Sequence, residues 1–146
     1  MSTEVLASYT DSFWHAFDDK GRITVPSEWR QPFFEPSLFV FPSSDRCLKV
    51  YPASWLGRLQ ENVSRLKSAD PMRLGVENLA TAAQSATFDT QGRIMIKEKL
   101  RTGAQLKKDA MLVGRLDHFE IWDKATWEKK DVAAMTVEEA LSAIGL

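Results

Sequence analysis

One motif occurs twice in this sequence and constrains the fold more than any other feature. Residues 17–23 read FDDKGRI and residues 88–94 read FDTQGRI, so five of seven positions are identical at an offset of 71 residues. The offset persists beyond the motif, matching Val25 with Ile96, Arg30 with Arg101, Leu48 with Phe119, Val50 with Ile121 and Tyr51 with Trp122. Because turn, core and helix-start positions agree together, the chain is predicted to hold two copies of one unit of roughly 45 residues, joined by a helical connector.

Each copy is predicted to open with a β-hairpin whose tight turn is the repeated motif. In the first copy, residues 14–18 and 22–25 are the expected strands and residues 18–21 the turn. Aspartate at the start of such a turn can bond its backbone amides, and the glycine that closes it can adopt a positive φ without steric cost. Pro26 is expected to end the second strand, since it lacks a ladder donor, and Ser27 to cap a short helical turn.

A second hairpin is predicted later in each copy. In the first copy, apolar-rich runs at residues 38–41 and 47–51 are separated by a polar segment that contains proline, serine and aspartate. The second copy repeats this pattern at residues 110–113 and 118–122, as expected for paired strands. Each copy should therefore contribute about four strands to the fold.

The spacing of apolar residues changes from two to about 3.6 after Tyr51, which predicts a pair of helices between the copies. The first helix is expected over residues 54–67. Asp70 followed by Pro71 starts the second, since aspartate caps the first turn and proline fits the first helical position. The apolar faces comprise Trp55, Leu59, Val63 and Leu66 on the first helix and Met72, Val76, Leu79 and Ala83 on the second.

Two further helices are predicted after the second copy. Thr126 is expected to cap a short one, and Thr136 with Glu139 forms the capping box of an amphipathic terminal helix that carries Leu141 and Ile144. The prediction is therefore an α+β chain in which the two repeats form one structural domain. Its parts are a first repeat at 9–55, a helical connector at 56–83, a second repeat at 84–130 and a C-terminal helix at 131–146.

The charges are nearly balanced overall but unevenly distributed. The chain has 19 lysines and arginines against 20 aspartates and glutamates, and its isoelectric point is about 6.1, which argues against binding of nucleic acid by bulk charge. Residues 91–108 carry six basic residues against one acid, whereas residues 109–146 carry eight acids against four basic residues. A binding site for a polyanion such as DNA must therefore be confined to one part of the surface. The alternative is that these charged side chains only keep the surface hydrated.

Several functional classes lack the residues that they require. One cysteine, Cys47, rules out an internal disulfide, and with only His15 and His118 no metal site is expected. No nucleophile and base pair or phosphate-binding glycine loop is present, so we predict no enzyme activity, no cofactor and no small-molecule substrate. No apolar run reaches the roughly 18 to 20 residues of a membrane span, and the first nine residues do not resemble a secretory signal. We therefore expect an intracellular protein with no membrane partner.

The paired motif, with Tyr-Pro-x-x-Trp at residues 51–55 and Ile-Trp-x-x-x-x-Trp at residues 121–127, closely resembles the MraZ family over residues 9–127. The resemblance implies an internally duplicated AbrB-like β-barrel of the double-psi or swapped-hairpin type, in which the two copies interlock. It also implies a bacterial transcriptional regulator of the division and cell-wall gene cluster, located in the cytoplasm at the nucleoid. Such a regulator forms a homo-oligomeric ring and binds short G-rich direct repeats in double-stranded DNA near the promoter.

The resemblance places the DNA-contacting loop at residues 18–22, with Lys20 and Arg22 reaching the nucleic acid and Arg93 as the counterpart of Arg22. An arginine fork fits guanine O6 and N7 or a phosphate, and lysine serves as a point charge to phosphate. Gln91 and Lys97, which stand where the family usually has a small residue and a proline, complete the predicted DNA-binding set. Asp11 stands where the family usually has glycine. The alternative is that Arg22 and Arg93 pair with the hairpin aspartates and only lock the turns.

Two other functions remain open from the sequence. A ring-forming adaptor would keep the fold but bind proteins, and this is favoured if Asp11 and Asp19 neutralise the basic face around Arg22 and Arg93. An antitoxin-like role would use the acidic C-terminal segment to bind a toxin. The remaining notable side chains, His15, His118, Cys47, Trp55 and Trp127, are expected to be structural.

Overall fold

The computed structural model describes residues 6–130 and 135–146. The first copy contains β1 (Ser12–Ala16), β2 (Arg22–Thr24), a 3₁₀ turn (Ser27–Trp29), β3 (Ser37–Pro42) and β4 (Leu48–Pro52). The connector holds α1 (Ala53–Ser64) and α2 (Pro71–Ala82). The second copy contains β5 (Gln84–Thr87), β6 (Arg93–Met95), α3 (Glu98–Gly103), β7 (Asp109–Gly114) and β8 (Phe119–Asp123), followed by α4 (Lys124–Glu128) and α5 (Val137–Ala143). The predicted α+β class and four strands per copy are confirmed.

The strands form two antiparallel sheets in which the copies exchange strands. A six-stranded sheet has the order β1-β7-β8-β4-β3-β5, and a two-stranded sheet pairs β2 with β6. The first strand of each copy thus pairs with the third strand of the other copy, β1 with β7 and β5 with β3, and the two second strands pair together. The predicted later hairpins, β3 with β4 and β7 with β8, are confirmed. Among the described strands, β1 and β5 remain sheet edges and no barrel closes.

The predicted hairpin between the first two strands of each copy is wrong, although its turn is present. In the first copy, Gly21 N–H donates to the Asp18 carbonyl at 3.1 Å and Asp18 N–H to the Arg22 carbonyl at 2.9 Å. Beyond that point β1 and β2 enter different sheets. The cross-copy ladder buries Ile23 and Ile94 almost completely, at 0% and 1% exposure. A hairpin signal compares only neighbours along the chain and cannot register this pairing between distant copies.

The two-stranded sheet and the 3₁₀ turn supply the main core with side chains that face those of the larger sheet. Trp29 is 2% exposed, and its ring lies 4.9 Å from Phe119 and 5.6 Å from Tyr9, centroid to centroid. Its indole N–H donates to the Thr10 carbonyl at 3.0 Å, which satisfies the buried donor. Each fully buried apolar side chain of this kind contributes about 1.5–3 kcal/mol to stability. Because both copies contribute, neither can close this core alone.

The connector helices lie on the outer face of β3, on either side of an apolar groove. The groove is lined by Phe39 and Phe41 from the strand and by Leu59, Val63, Val76 and Leu79 from the helices. The start of α2 is confirmed, because Asp70 accepts from Met72 N–H at 2.9 Å. α1 ends at Ser64, three residues before the predicted end. Met72, predicted on the apolar face, is 65% exposed.

Of the other three predicted caps, two are wrong and one is confirmed. Ser27 is the first residue of its 3₁₀ turn and makes no capping bond, since Pro26 occupies the cap position. At α4 the cap is Asp123, which accepts from Thr126 N–H, so Thr126 is the capped residue. The capping box of Thr136 and Glu139 at α5 is present.

Of the predicted C-terminal segment, residues 131–134 lie outside the described residues, and every residue of 135–146 is exposed. None of the described helices combines the length and apolarity that crossing a bilayer demands.

Candidate nucleic-acid interface

The two repeated turns have the same backbone geometry. In the first, Asp18 Oδ1 accepts from the amides of Lys20 at 3.0 Å and Arg22 at 2.8 Å, and Gly21 has a φ of 78°. In the second, the side chain of Asp89 accepts from the amides two and four residues later, both at 2.9 Å, and the glycine φ is 76°. Each aspartate therefore holds its turn through bonds to two amides, as the sequence predicts.

The arginine that follows each turn binds the aspartate that begins it. Arg22 Nε lies 2.6 Å from Asp18 Oδ2, and Arg93 Nε lies 2.8 Å from Asp89 Oδ2. The Arg22 backbone amide and then its side chain lower the pKa of Asp18 to about 2, and the same contacts from Arg93 lower the pKa of Asp89. Both carboxylates are charged at neutral pH. The contact expected of turn-locking arginines is thus present in both copies.

Both arginines lie on one face of the two-stranded sheet. β2 and β6 are antiparallel, with Arg22 opposite Met95 and Thr24 opposite Arg93. Since side chains alternate along a strand and Ile23 and Ile94 point into the core, these four residues share the outer face. The arginine side chains are 32% and 24% exposed. The turns lie at opposite ends of this ladder, because Ile96 N–H donates to the Gly21 carbonyl at one end and Val25 N–H to the Gly92 carbonyl at the other.

The other predicted site residues divide between the two turns. Lys20 and Gln91 are exposed at the tips of the first and second turn, respectively. Lys97 belongs to the second copy but lies beside the first turn, because Ile96 N–H donates to the Gly21 carbonyl at 2.9 Å. Its backbone amide donates to Gln84 Oε1 at 2.8 Å, and its side chain is exposed. The structure therefore brings Lys97 to the turn of Lys20 rather than to that of Gln91.

Two further arginines contact the turns, and no local pattern in the sequence assigned them a role. Arg101 Nε donates to the Ile96 carbonyl at 2.9 Å, and its guanidinium packs on Gly21, where an added Cβ atom would be 2.9 Å from Arg101 Nη2. Arg30 Nε donates to the Val25 carbonyl at 2.8 Å, and its guanidinium covers Gly92 more closely. Each turn is thus clamped by an arginine of the other copy. The signal that could have found them was the repeat register, which aligns these two arginines.

The acids that would neutralise this face lie in different places. Asp11 precedes β1, and its carbonyl accepts from Gly114 N–H, which puts it at the end of β1 remote from the first turn. Asp19 is exposed at the tip of that turn, next to Lys20. Of these two acids, Asp19 alone lies beside the basic residues of this face. Within residues 6–130 and 135–146, no three histidine, cysteine, aspartate or glutamate side chains group as a metal site would require.

Comparison with known proteins gives matches along most of the chain. The family model described as "MraZ protein, putative antitoxin-like" matches residues 9–75 and 79–140, two segments that each contain one copy. A protein of Pediococcus pentosaceus named "Transcriptional regulator MraZ" is 38% identical over 132 residues, which cover 90% of this chain and 87% of the relative. A protein of the same name from Spiroplasma kunkelii is 34% identical, and the match covers 86% of this chain and 89% of the relative. One from Corynebacterium urealyticum is 35% identical, and the match covers 84% of this chain and 85% of the relative.

Proposed function

The chain belongs to the MraZ family, and from this premise we propose that it is a transcriptional regulator that acts by binding double-stranded DNA. The observation that carries the proposal is the placement of Arg22 and Arg93 on one outer face of the β2–β6 pair. A two-stranded ribbon of this kind fits the major groove of B-form DNA, where arginine is the commonest reader of guanine. The named relatives carry the name of transcriptional regulators, which supports the same function.

Arg22 can hold its turn and bind DNA at the same time. Asp18 engages Arg22 through Nε, and within the described part of the chain neither terminal nitrogen of Arg22 has a hydrogen-bond partner. A guanidinium fixed through Nε keeps its remaining donors in a defined direction, which suits bidentate contact with guanine O6 and N7. Lys20, Gln91 and Lys97 would contact the flanking backbone. G-rich direct repeats are the sequence that we propose for this site.

We propose further that the chain works as a homo-oligomeric ring in the cytoplasm, at the nucleoid, on DNA upstream of the division and cell-wall gene cluster. Several turns on one ring would raise the affinity for repeated sites through effective concentration, so a chain of nearly balanced charge could bind tightly. The strand exchange between repeats 9–55 and 84–130 supports one structural domain related to the AbrB-like swapped-hairpin barrel. Segments 56–83 and 131–146 would be its connector and C-terminal helix.

Fluorescence anisotropy tests the proposal with labelled DNA from upstream of the protein's own operon and a scrambled duplex of equal length, over a salt series. We expect preferential binding to the upstream DNA and an affinity that falls steeply with salt. Arg22→Ala and Arg93→Ala should each weaken that preference by about 10- to 100-fold, the usual effect of losing a base contact. Circular dichroism and light scattering should show unchanged folding and subunit number.

Equal or absent binding to both duplexes by a folded oligomer would refute DNA recognition. The second candidate, an adaptor for protein partners, would then gain support. One observation favours it: α5 and the Ile144 that follows it expose Val137, Leu141 and Ile144 next to Glu138 and Glu139, which forms an apolar and acidic surface. Loss of folding in either arginine variant would support the turn-locking role instead.

A further inference from the structure

The two turns differ in the residues that surround them, although their own charges are equal. Residues 18–22 hold two acids and two bases, and residues 89–93 hold one of each, so both turns are neutral. Strand exchange places each turn against the other copy of the repeat. The surroundings of the first turn therefore come from the second copy, which contains the basic stretch at residues 91–108, and those of the second turn come from the first copy.

Four cations of the second copy surround the first turn, and we name them the first-turn rim: Lys97, Arg101, Lys107 and Lys108. Arg101 packs on Gly21, and the Lys108 carbonyl accepts from Phe17 N–H at 2.8 Å, immediately before the turn. Arg101, Lys107 and Lys108 line one cleft together with Phe17, Leu106 and the turn residues Asp18 and Asp19. Within the described residues, no carboxylate oxygen lies within 4.0 Å of the side-chain nitrogens of these four residues.

The equivalent positions at the second turn carry no net charge. Ala16 pairs with Asp109 and, at the equivalent place, Thr87 pairs with Ser37, so Lys107 and Lys108 correspond to Glu35 and Pro36. Likewise, the repeat offset aligns Lys97 with Pro26 and Arg101 with Arg30. The first-turn rim has a charge of +4, whereas Arg30 and Glu35 cancel. The backbone symmetry of the repeat is thus combined with a strong electrostatic asymmetry.

We propose that this asymmetry makes the first turn the anchor for DNA, with Lys97, Lys107 and Lys108 contacting the phosphodiester backbone on either side of the base contact made by Arg22. This inference rests on the proposed function and specifies how the two turns share the binding of DNA. Exposed lysines without internal partners release counterions from DNA when they bind phosphate, and this term is independent of base sequence. Arg101, which lines the cleft and whose guanidinium packs on Gly21, positions the turn beside the three lysines. The second turn has no such anchor and contributes only the base contact made by Arg93.

The double variant Lys107→Ala/Lys108→Ala tests the anchor. Both side chains are exposed, and only their backbone atoms bond to neighbouring elements, so truncation leaves those bonds in place. We expect weaker binding to the upstream and scrambled duplexes by the same factor. The slope of log affinity against log salt should become shallower by about 2 for each subunit that engages the duplex. Arg58→Ala/Lys67→Ala, which removes two exposed connector cations, is the matched control and should leave the slope unchanged.

A comparison of single arginine variants tests the asymmetry itself. Arg22→Ala should reduce affinity more than Arg93→Ala, since Arg22 belongs to the anchored turn. Equal losses, or an unchanged salt slope in Lys107→Ala/Lys108→Ala while Arg22→Ala still abolishes preference, would overturn the anchor and leave the proposed function intact. A wild-type protein that does not prefer the upstream DNA would overturn the proposed function first.

Discussion

Arg93 of the second copy reaches across the two-stranded sheet to Asp18 of the first, with 3.7 Å between Arg93 Nη1 and Asp18 Oδ2. Asp18 also binds Arg22 at 2.6 Å, so one carboxylate lies between the two arginines assigned to DNA. Asp89 has no equivalent second partner among the described residues. The charge of Asp18 therefore influences both turns, and its removal separates the structural role of the arginines from their role toward DNA.

Asp18→Asn should bind both duplexes more tightly at low salt but prefer the upstream DNA less. The amide oxygen can still accept from the turn amides, but the amide nitrogen cannot accept from Arg22 Nε, so the guanidinium loses its fixed direction. The loss of a negative charge beside two arginines raises the attraction to phosphate. Anisotropy at two salt concentrations measures this, with Asp89→Asn as the control at the other turn. Should the arginines serve only to lock turns, Asp18→Asn would lose affinity and thermal stability together, as Arg22→Ala would.

Gly92→Ala should destabilise the protein more than Gly21→Ala. Both glycines have a positive φ, but a Cβ atom on Gly92 would overlap the guanidinium carbon of Arg30, whereas a Cβ atom on Gly21 would lie 3.0 Å from the guanidinium carbon of Arg101. Arg30 cannot withdraw freely, because its Nε bonds to the Val25 carbonyl at 2.8 Å. We expect a loss of about 1–3 kcal/mol in the free energy of unfolding for Gly92→Ala, measured by urea denaturation.

The variant Arg30→Ala supplies the control for that experiment. In its background, Gly92→Ala loses the steric conflict and retains only the strain of the left-handed backbone, so the cost of the glycine substitution should fall. An equal cost in both backgrounds would assign the whole effect to backbone conformation and remove the clamp role of Arg30.

Much of the fold could be predicted because its signals are local. The turn of Asp18 and Gly21, the start of α2 at Asp70 and the capping box at Thr136 each depend on side chains bonding to backbone a few residues away. The repeat also predicted that equivalent residues would have equivalent roles. Arg22 and Arg93 do share one face and one type of contact.

The remainder depended on contacts between residues far apart in the sequence. Strand exchange pairs β2 with β6 across 71 positions, and no local pattern distinguishes this from a hairpin. The clamp of Arg30 on Gly92 and the position of Lys97 beside the first turn follow from the same exchange. The repeat was visible in the sequence, but the strand with which each strand pairs was not. The candidate site could not be predicted in full, because the pairing of strands from different copies brings its residues together.

Asp123→Ala should destabilise the protein by about 0.5–2 kcal/mol, the usual cost of losing an N-cap. Asp123 is 5% exposed, accepts from Thr126 N–H at 3.4 Å and also accepts from Lys107 N–H at 3.2 Å. Thr126→Ala removes only a hydroxyl that donates to the same carboxylate at 3.4 Å, so its effect should be smaller. Thermal unfolding of both variants checks the order, and a larger loss for Thr126→Ala would restore threonine as the cap.

His118 should make the stability of the protein decrease as pH rises above 6.5. Burial lowers the pKa of His118, but the neighbouring carboxylates of Glu120 and Asp117 outweigh it and raise the pKa above its ordinary value of 6.5. Nδ1 lies 2.7 Å from Asp117 Oδ1 and Nε2 lies 3.6 Å from Glu120 Oε2, while the ring stacks on Tyr51 at 4.3 Å. Arg115 and Lys49 also approach Glu120, with their side-chain nitrogens 3.1 Å and 3.9 Å from its carboxylate oxygens.

A group with a raised pKa in the folded state contributes its full stabilisation below the unfolded pKa and loses it as pH rises through the folded value. The free energy of unfolding, from urea titrations between pH 6 and 8, should therefore fall with pH in the wild type and stay flatter in His118→Gln. The other histidine, His15, is the matched control. Burial lowers its pKa, so its contribution to the free energy of unfolding is lost as pH falls, the opposite direction to that expected for His118. Burial and Glu120 raise the pKa of Cys47 to about 11, and its ordinary value of 9.0 lies above the range tested. A slope that persists in His118→Gln would assign the pH dependence to another group and contradict the charged contact of His118 with Glu120.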